Sequence, residues 1–233
     1  MKPPPNVLLA GINGSTAYGL ATEDSDVDRI GCYAAPTVAF HGLHPPLGKA
    51  ASRVSTKPDA TYHEAGKLAA LLLKCNPTVA ELLWLDRYET ATREGYLLVD
   101  IRKSLLSRPA VRNAYLGYAT QQFRRLENRG DGSFSADTRK RTEKHARHLW
   151  RLIHQGTALH VSGRLSVRLS LAQAAACREF GEDVATRGVE VARDVLARAE
   201  EAFDKPGVLP DRPDEAAAEA WLQEVRRAYW DRP

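Results

Sequence analysis

The chain has 233 residues, 43% of them hydrophobic and 27% charged, with a formal net charge of +4 at neutral pH. This is the composition of an ordinary globular protein, long enough for one large domain or two modest ones, and no run approaches the roughly 18 apolar residues of a membrane span. Cys32, Cys75 and Cys177 are far apart and odd in number, which excludes a disulfide framework or a zinc-ligand spacing and predicts buried, reduced thiols.

Charge is unevenly distributed. Residues 1–105 are balanced, 106–178 carry a net +10, and 179–233 carry −6, so the middle third offers a cationic surface suited to phosphates. The first residues, MKPPPNVLLAG, hold too short an apolar run for a signal-peptide core, and a cytoplasmic location is expected.

In chain order, NVLLAGI (6–12) predicts a strand that ends at Asn13-Gly14, and STAYGLAT predicts a turn leading into a short helix. The run DVDRIGCY (26–33) predicts a strand in which Asp26, Asp28 and Ile30 share one face, because strand side chains alternate with period two. Residues 36–58 are rich in Pro, Gly and His and read as a loop with one short strand. DATYH, from Asp59, predicts a third strand, and residues 64–74 an apolar helix. Asn76 caps the next helix, with Pro77 at its first position. Beyond about residue 105, helical periods dominate: 109–128, 136–155, 170–203 and 214–230, with Asp214 capping the last.

The chemistry concentrates in GSTAYGLATEDSDVDRIG (14–31). A Gly-Ser at the end of a strand, opening a helix, offers backbone N–H groups and a hydroxyl to a phosphate. Two carboxylates on one strand face form a clamp for hard Mg²⁺ ions, which take oxygen ligands. Asp24 belongs to the turn before the strand. An acidic surface turn alone would leave the Gly-Ser and the alternation unconnected.

This stretch resembles the signature of the DNA polymerase β nucleotidyltransferase superfamily: Gly-Ser, a spacer, then Asp-x-Asp on the next strand. The Ala-Tyr-Gly that follows is similar to the nucleotidyltransferases of RNA repair and ligase operons. CNPTVAELLW (75–84), KHARHLWRLIHQGTALHVSGRLSVRLS (144–170) and LPDRPD (209–214) extend the similarity over nearly the whole chain. The resemblance implies an α+β fold. Residues 1–105 form the catalytic nucleotidyltransferase domain, a mixed sheet with flanking helices, and residues 106–233 a helical domain with a basic phosphate-facing or nucleic-acid-facing helix.

By position, the resemblance assigns the β and γ phosphates of an NTP to Gly14 and Ser15, and metal binding by Mg²⁺ or Mn²⁺ to Asp26 and Asp28. A third acid on a neighbouring strand, Asp59 or alternatively Glu64, helps bind the catalytic metal and orients or deprotonates the attacking hydroxyl. On a helix, Lys140, Arg141, Lys144, Arg147, His148 and Arg151 fall within an arc of about 120°. The resemblance points Lys144, His148 and Arg151 at the triphosphate; a hydrogen-bonding place at the edge of the core is the other reading of His148. Asn76, Pro77 and Glu81 read as architectural, and Tyr18 either stacks on a base or packs in the core.

The implied reaction is attack of a hydroxyl on the α-phosphorus of an NTP with release of pyrophosphate, the acceptor being an RNA or DNA end, for which the +10 segment speaks. NMP transfer to a protein or small-molecule hydroxyl, and a catalytically silent nucleotide-binding or RNA-binding module, are the competing readings.

Overall fold

A computed structural model describes residues 2–23, 25–128 and 136–232; the turn position expected for Asp24 lies outside them. The chain divides into two compact units, 1–107 with 212–233, and 108–211.

The first unit is built on a five-stranded mixed sheet. Its strands are β1 (Val7–Asn13), β2 (Asp28–Tyr33), β3 (Ser52–Thr56), β4 (Asp59–Glu64) and β5 (Thr90–Ala91), in the order β3-β4-β2-β1-β5. β1 and β2 are antiparallel, with Asn13 opposite Asp28, whereas β2 and β4 run parallel, with Arg29 opposite Ala60. β3 and β4 form an antiparallel hairpin in which Thr56 faces Asp59. The C-terminal end of β1 and the N-terminal ends of β2 and β4 therefore meet at one end of the sheet. Leu8, Leu9, Ile30 and Cys32 are buried, and this apolar content is what lets the central strands sit between two covered faces.

Around the sheet lie α1 (Gly14–Tyr18), α2 (Ala65–Leu73), α3 (Pro77–Leu82) and α4 (Arg93–Asp100). The Asn76 side chain accepts a hydrogen bond from the Val79 N–H at 3.2 Å with Pro77 in the first turn, the cap that the sequence spells. Glu64 caps α2 by accepting from the Gly66 N–H at 2.8 Å, and its other oxygen receives Arg226 Nη1 at 2.6 Å. Thr92 caps α4, a helix the sequence reading does not anticipate, as it does not anticipate the two-residue β5.

The second unit contains α5 (Arg108–Glu127), α6 (Ala136–Ser162), α7 (Leu171–Arg187) and α8 (Glu190–Asp204), with α6 packed on the other three. The single helix expected over 170–203 is two helices, because Gly188 adopts a left-handed φ of 95° that ends α7. The expected helical domain over 106–233 also needs correction at its end. Helix α9 (Glu215–Ala228), capped by Asp214 as expected, belongs to the first unit. Its buried stripe of Ala218, Trp221 and Val225 faces that unit, and Trp221 Nε1 donates to the Glu94 carbonyl at 2.9 Å. All three cysteines are buried and free, and no helix among the described residues is long and apolar enough to cross a membrane.

Candidate active site

The end of the sheet where β1, β2 and β4 meet gathers the residues singled out in the opening motif. β1 ends on Asn13, and the chain turns at Gly14, whose φ of 67° is one that residues with a side chain avoid. A Cβ on Gly14 would overlap the carboxylate of Asp28. The Gly-Ser turn and the second aspartate of the Asp-x-Asp pair are thus packed directly together, because Asn13 and Asp28 are register partners.

Gly14→Ala is expected to cost about 1–2 kcal/mol of backbone strain and to push the Asp28 carboxylate off its seat. The fold should survive that cost, as read by a thermal melt of the variant beside the wild type.

Asp26 does not sit on the strand as expected. β2 begins at Asp28, and Asp26 is exposed two residues ahead of it. The reason lies in the neighbours: past Asn13 the chain of β1 has turned into α1, and β4 only begins at Asp59, so Val27 and Asp26 have no strand to pair with. On the other side of the strand's first residues, Arg29 makes a bidentate pair with Glu89, at 2.9 Å from Nε to Oε2 and 3.0 Å from Nη2 to Oε1. That pair ties the start of β2 to the segment entering β5.

The two candidates for the third acid have different surroundings. Asp59 precedes Ala60 as Asp28 precedes Arg29, so the parallel register brings it to the same end of the sheet as Asp28, where it is exposed. Glu64 lies at the far end of β4, is 2% exposed, and spends its oxygens on the α2 cap and on Arg226. Among the described residues no group of three or more His, Cys, Asp and Glu side chains is arranged to hold a metal ion. The donors at this end of the sheet are nonetheless all oxygens, the chemistry that Mg²⁺ and Mn²⁺ take. Beside them the Oδ1 of Asn13, a residue only 5% exposed, has no hydrogen-bond partner among the described atoms. A hard cation fits such a set.

Sequence reasoning passes over Asn13, although a polar residue closing an otherwise apolar strand is a visible signal. It also leaves Tyr18 between two readings, and the structure supplies a third. The Tyr18 hydroxyl donates to Oε2 of Glu81 at 2.8 Å, and Glu81 is 0% exposed. This bond joins α1, which opens on Gly14 and Ser15, to α3, so the GSTAYG and CNPTVAELLW stretches meet in space. Tyr18→Phe removes the phenolic donor from a buried carboxylate, a loss of about 1–3 kcal/mol. A fall in melting temperature of roughly 3–10 °C is expected in a scan of the variant.

Lys144, His148 and Arg151 lie on α6 of the second unit. The face on which they were expected is exposed only at its beginning: Lys140, Arg141 and Lys144 are exposed, while Arg151 is 3% exposed. Toward its C-terminal half the helix runs among α5, α7 and α8, which cover the face. Arg151 Nη1 donates to Gln155 Oε1 at 2.7 Å, and its Nη2 lies 3.0 Å from His148 Nδ1. His145 Nδ1 lies 2.8 Å from Gln122 Oε1 on α5. Burial, reinforced by Arg151, His145, Arg125 and Lys144, pushes the His148 imidazole down to about 3. At neutral pH it is an uncharged acceptor for Arg151, and its place is the core edge.

The sequence pattern of the RlaP family, described as RNA repair pathway DNA polymerase beta family, matches residues 2–177. A nucleotidyltransferase-like protein of known crystal structure, from Exiguobacterium sibiricum 255-15, is 15% identical to this chain. That similarity covers 98% of this chain and 76% of that protein's, with a TM-score of 0.33. No curated protein matches.

Proposed function

The chain belongs to the RNA repair pathway DNA polymerase beta family, and from that premise we propose that it transfers an NMP from an NTP to a 3′ hydroxyl of RNA, releasing pyrophosphate. Nucleotidyl transfer of the polymerase β type comes with the family. The observation that carries the finer reading is the seating of Asp28 against Gly14, which puts a carboxylate beside a turn able to take phosphates.

In this reading Gly14 and Ser15 receive the β and γ phosphates, through backbone N–H groups and the Ser15 hydroxyl. Asp26 and Asp28 hold Mg²⁺ or Mn²⁺ by their oxygens, with Asp59 as the third acid. Bound there, the ions neutralise charge on the phosphates and make the acceptor hydroxyl easier to deprotonate. Asp59 takes the proton of that hydroxyl. The hydroxyl oxygen bonds to the α-phosphorus as the bond from that phosphorus to the pyrophosphate oxygen breaks, and catalysis is mainly positioning and charge neutralisation.

A nucleic acid is favoured over a protein acceptor by the exposed Lys140, Arg141 and Lys144 on α6, which suit backbone phosphates, and RNA among nucleic acids by the description of the family as one of RNA repair. The test is incubation with each labelled NTP, Mg²⁺ or Mn²⁺, and separate RNA, DNA and protein acceptors. Label is expected at RNA 3′ ends; label on protein alone, or on no acceptor, overturns the proposal.

A further inference from the structure

Asn13 ends β1 with an amide oxygen that the described residues leave unpaired. It occupies the position before α1 where an Asn commonly caps, yet it makes no side-chain cap bond. It is 5% exposed, and its Oδ1 has no hydrogen-bond partner among the described atoms. Buried polar atoms are almost always paired, because an unmet acceptor forfeits its hydration with nothing in return. An oxygen kept in that condition beside a reaction site implies that its partner arrives with the substrates.

The partner's chemistry follows from the neighbour. Asn13 and Asp28 are directly opposed in the β1–β2 ladder, and opposed residues point to the same face with Cβ atoms about 5 Å apart. An amide oxygen and a carboxylate cannot satisfy one another, since both are acceptors. An ion held by that carboxylate and taking oxygen ligands does meet the amide oxygen. The absence of a Cβ on Gly14 is what lets the Asp28 carboxylate occupy this place.

The geometry points to Asn13 Oδ1 as a direct ligand of the divalent ion held by Asp28, making a mixed amide and carboxylate set at the junction of β1 and β2. This rests on the reading above in which Asp28 binds a divalent ion. The amide adds an oxygen without adding charge, so the ion keeps more of its positive field for the phosphates it neutralises.

The probe is Mn²⁺ alone, with free Mn²⁺ counted by electron paramagnetic resonance against the full-length wild type, Asn13→Ala, Asn13→Asp and Asp28→Asn, each also melted with and without Mn²⁺. Asn13→Ala should bind Mn²⁺ about tenfold or more weakly without melting earlier in the absence of metal. Asn13→Asp, which has oxygens at both positions and a full charge, should bind several-fold more tightly and gain more melting temperature from Mn²⁺ than the wild type does. Wild-type affinity in both Asn13 variants overturns the assignment while leaving the metal reading of Asp28 standing. Mn²⁺ binding that is absent from the wild type, or undiminished in Asp28→Asn, overturns the metal reading and this assignment with it. If the alanine variant fails to fold, the aspartate variant decides, because a carboxylate that does not reach the ion leaves the affinity unchanged.

Discussion

Exchanging Asp26 and Asp28 together for Ala is expected to leave the protein folded and to lower the proposed metal-dependent NMP transfer by about 10³-fold or more. The magnitude follows from losing several kcal/mol of charge stabilisation on the transferring phosphoryl group. The fold should survive because neither side chain carries the core. Asp26 is exposed ahead of β2 and Asp28 is the strand's first residue, whereas Leu8, Leu9, Ile30 and Cys32 are among the buried apolar residues of the central strands. Of the two single variants, Asp28→Ala should be the more damaging, since Asp28 is the one held in the sheet against Gly14. A pyrophosphate-release assay beside a circular dichroism melt makes the comparison, and a double variant that incorporates label at the wild-type rate would sink the mechanism.

What the sequence makes legible here is local. The Asn76 and Asp214 caps, the apolar run of β1 and the turn at Gly14 are each written in a few adjacent residues, and each is found where the pattern places it. What it leaves dark depends on partners. Alternation puts Asp26 on a strand, but a strand extends only as far as its neighbours do, and those of β2 run out at Asn13 and Asp59. A helical projection puts Arg151 on a cationic face without saying which helices cover that face. The same limit applies to α9: the stripe of Ala218, Trp221 and Val225 announces a buried face, while the surface it meets is fixed by the tertiary fold. For the third acid, position favours Asp59 and leaves Glu64 as the alternative, and only the fold reveals that Glu64 is engaged with Gly66 and Arg226 at the opposite end of β4.

Acid should destabilise the second unit through His148. The folded protein keeps this imidazole neutral down to about pH 3, chiefly because it is buried and further because Arg151, His145, Arg125 and Lys144 add positive charge around it. The unfolded chain takes up the same proton near pH 6.5. Between those two values the unfolded state binds the extra proton, so its contribution to stability is complete above about pH 6.5 and is lost as the pH falls toward 3. The full span corresponds to about 5 kcal/mol, enough to matter for a domain whose total stability is of the order of 5–15 kcal/mol. His148→Gln keeps an acceptor for Arg151 and removes the titration. Chemical-denaturation midpoints at pH 7 and pH 4.5 should therefore fall steeply for the wild type and clearly less for the variant. Burial lowers the imidazoles of His63 and His154 as well, so part of the acid sensitivity should persist in His148→Gln. Equal losses in the two proteins would mean that His148 takes its proton in the folded state as readily as in the unfolded one.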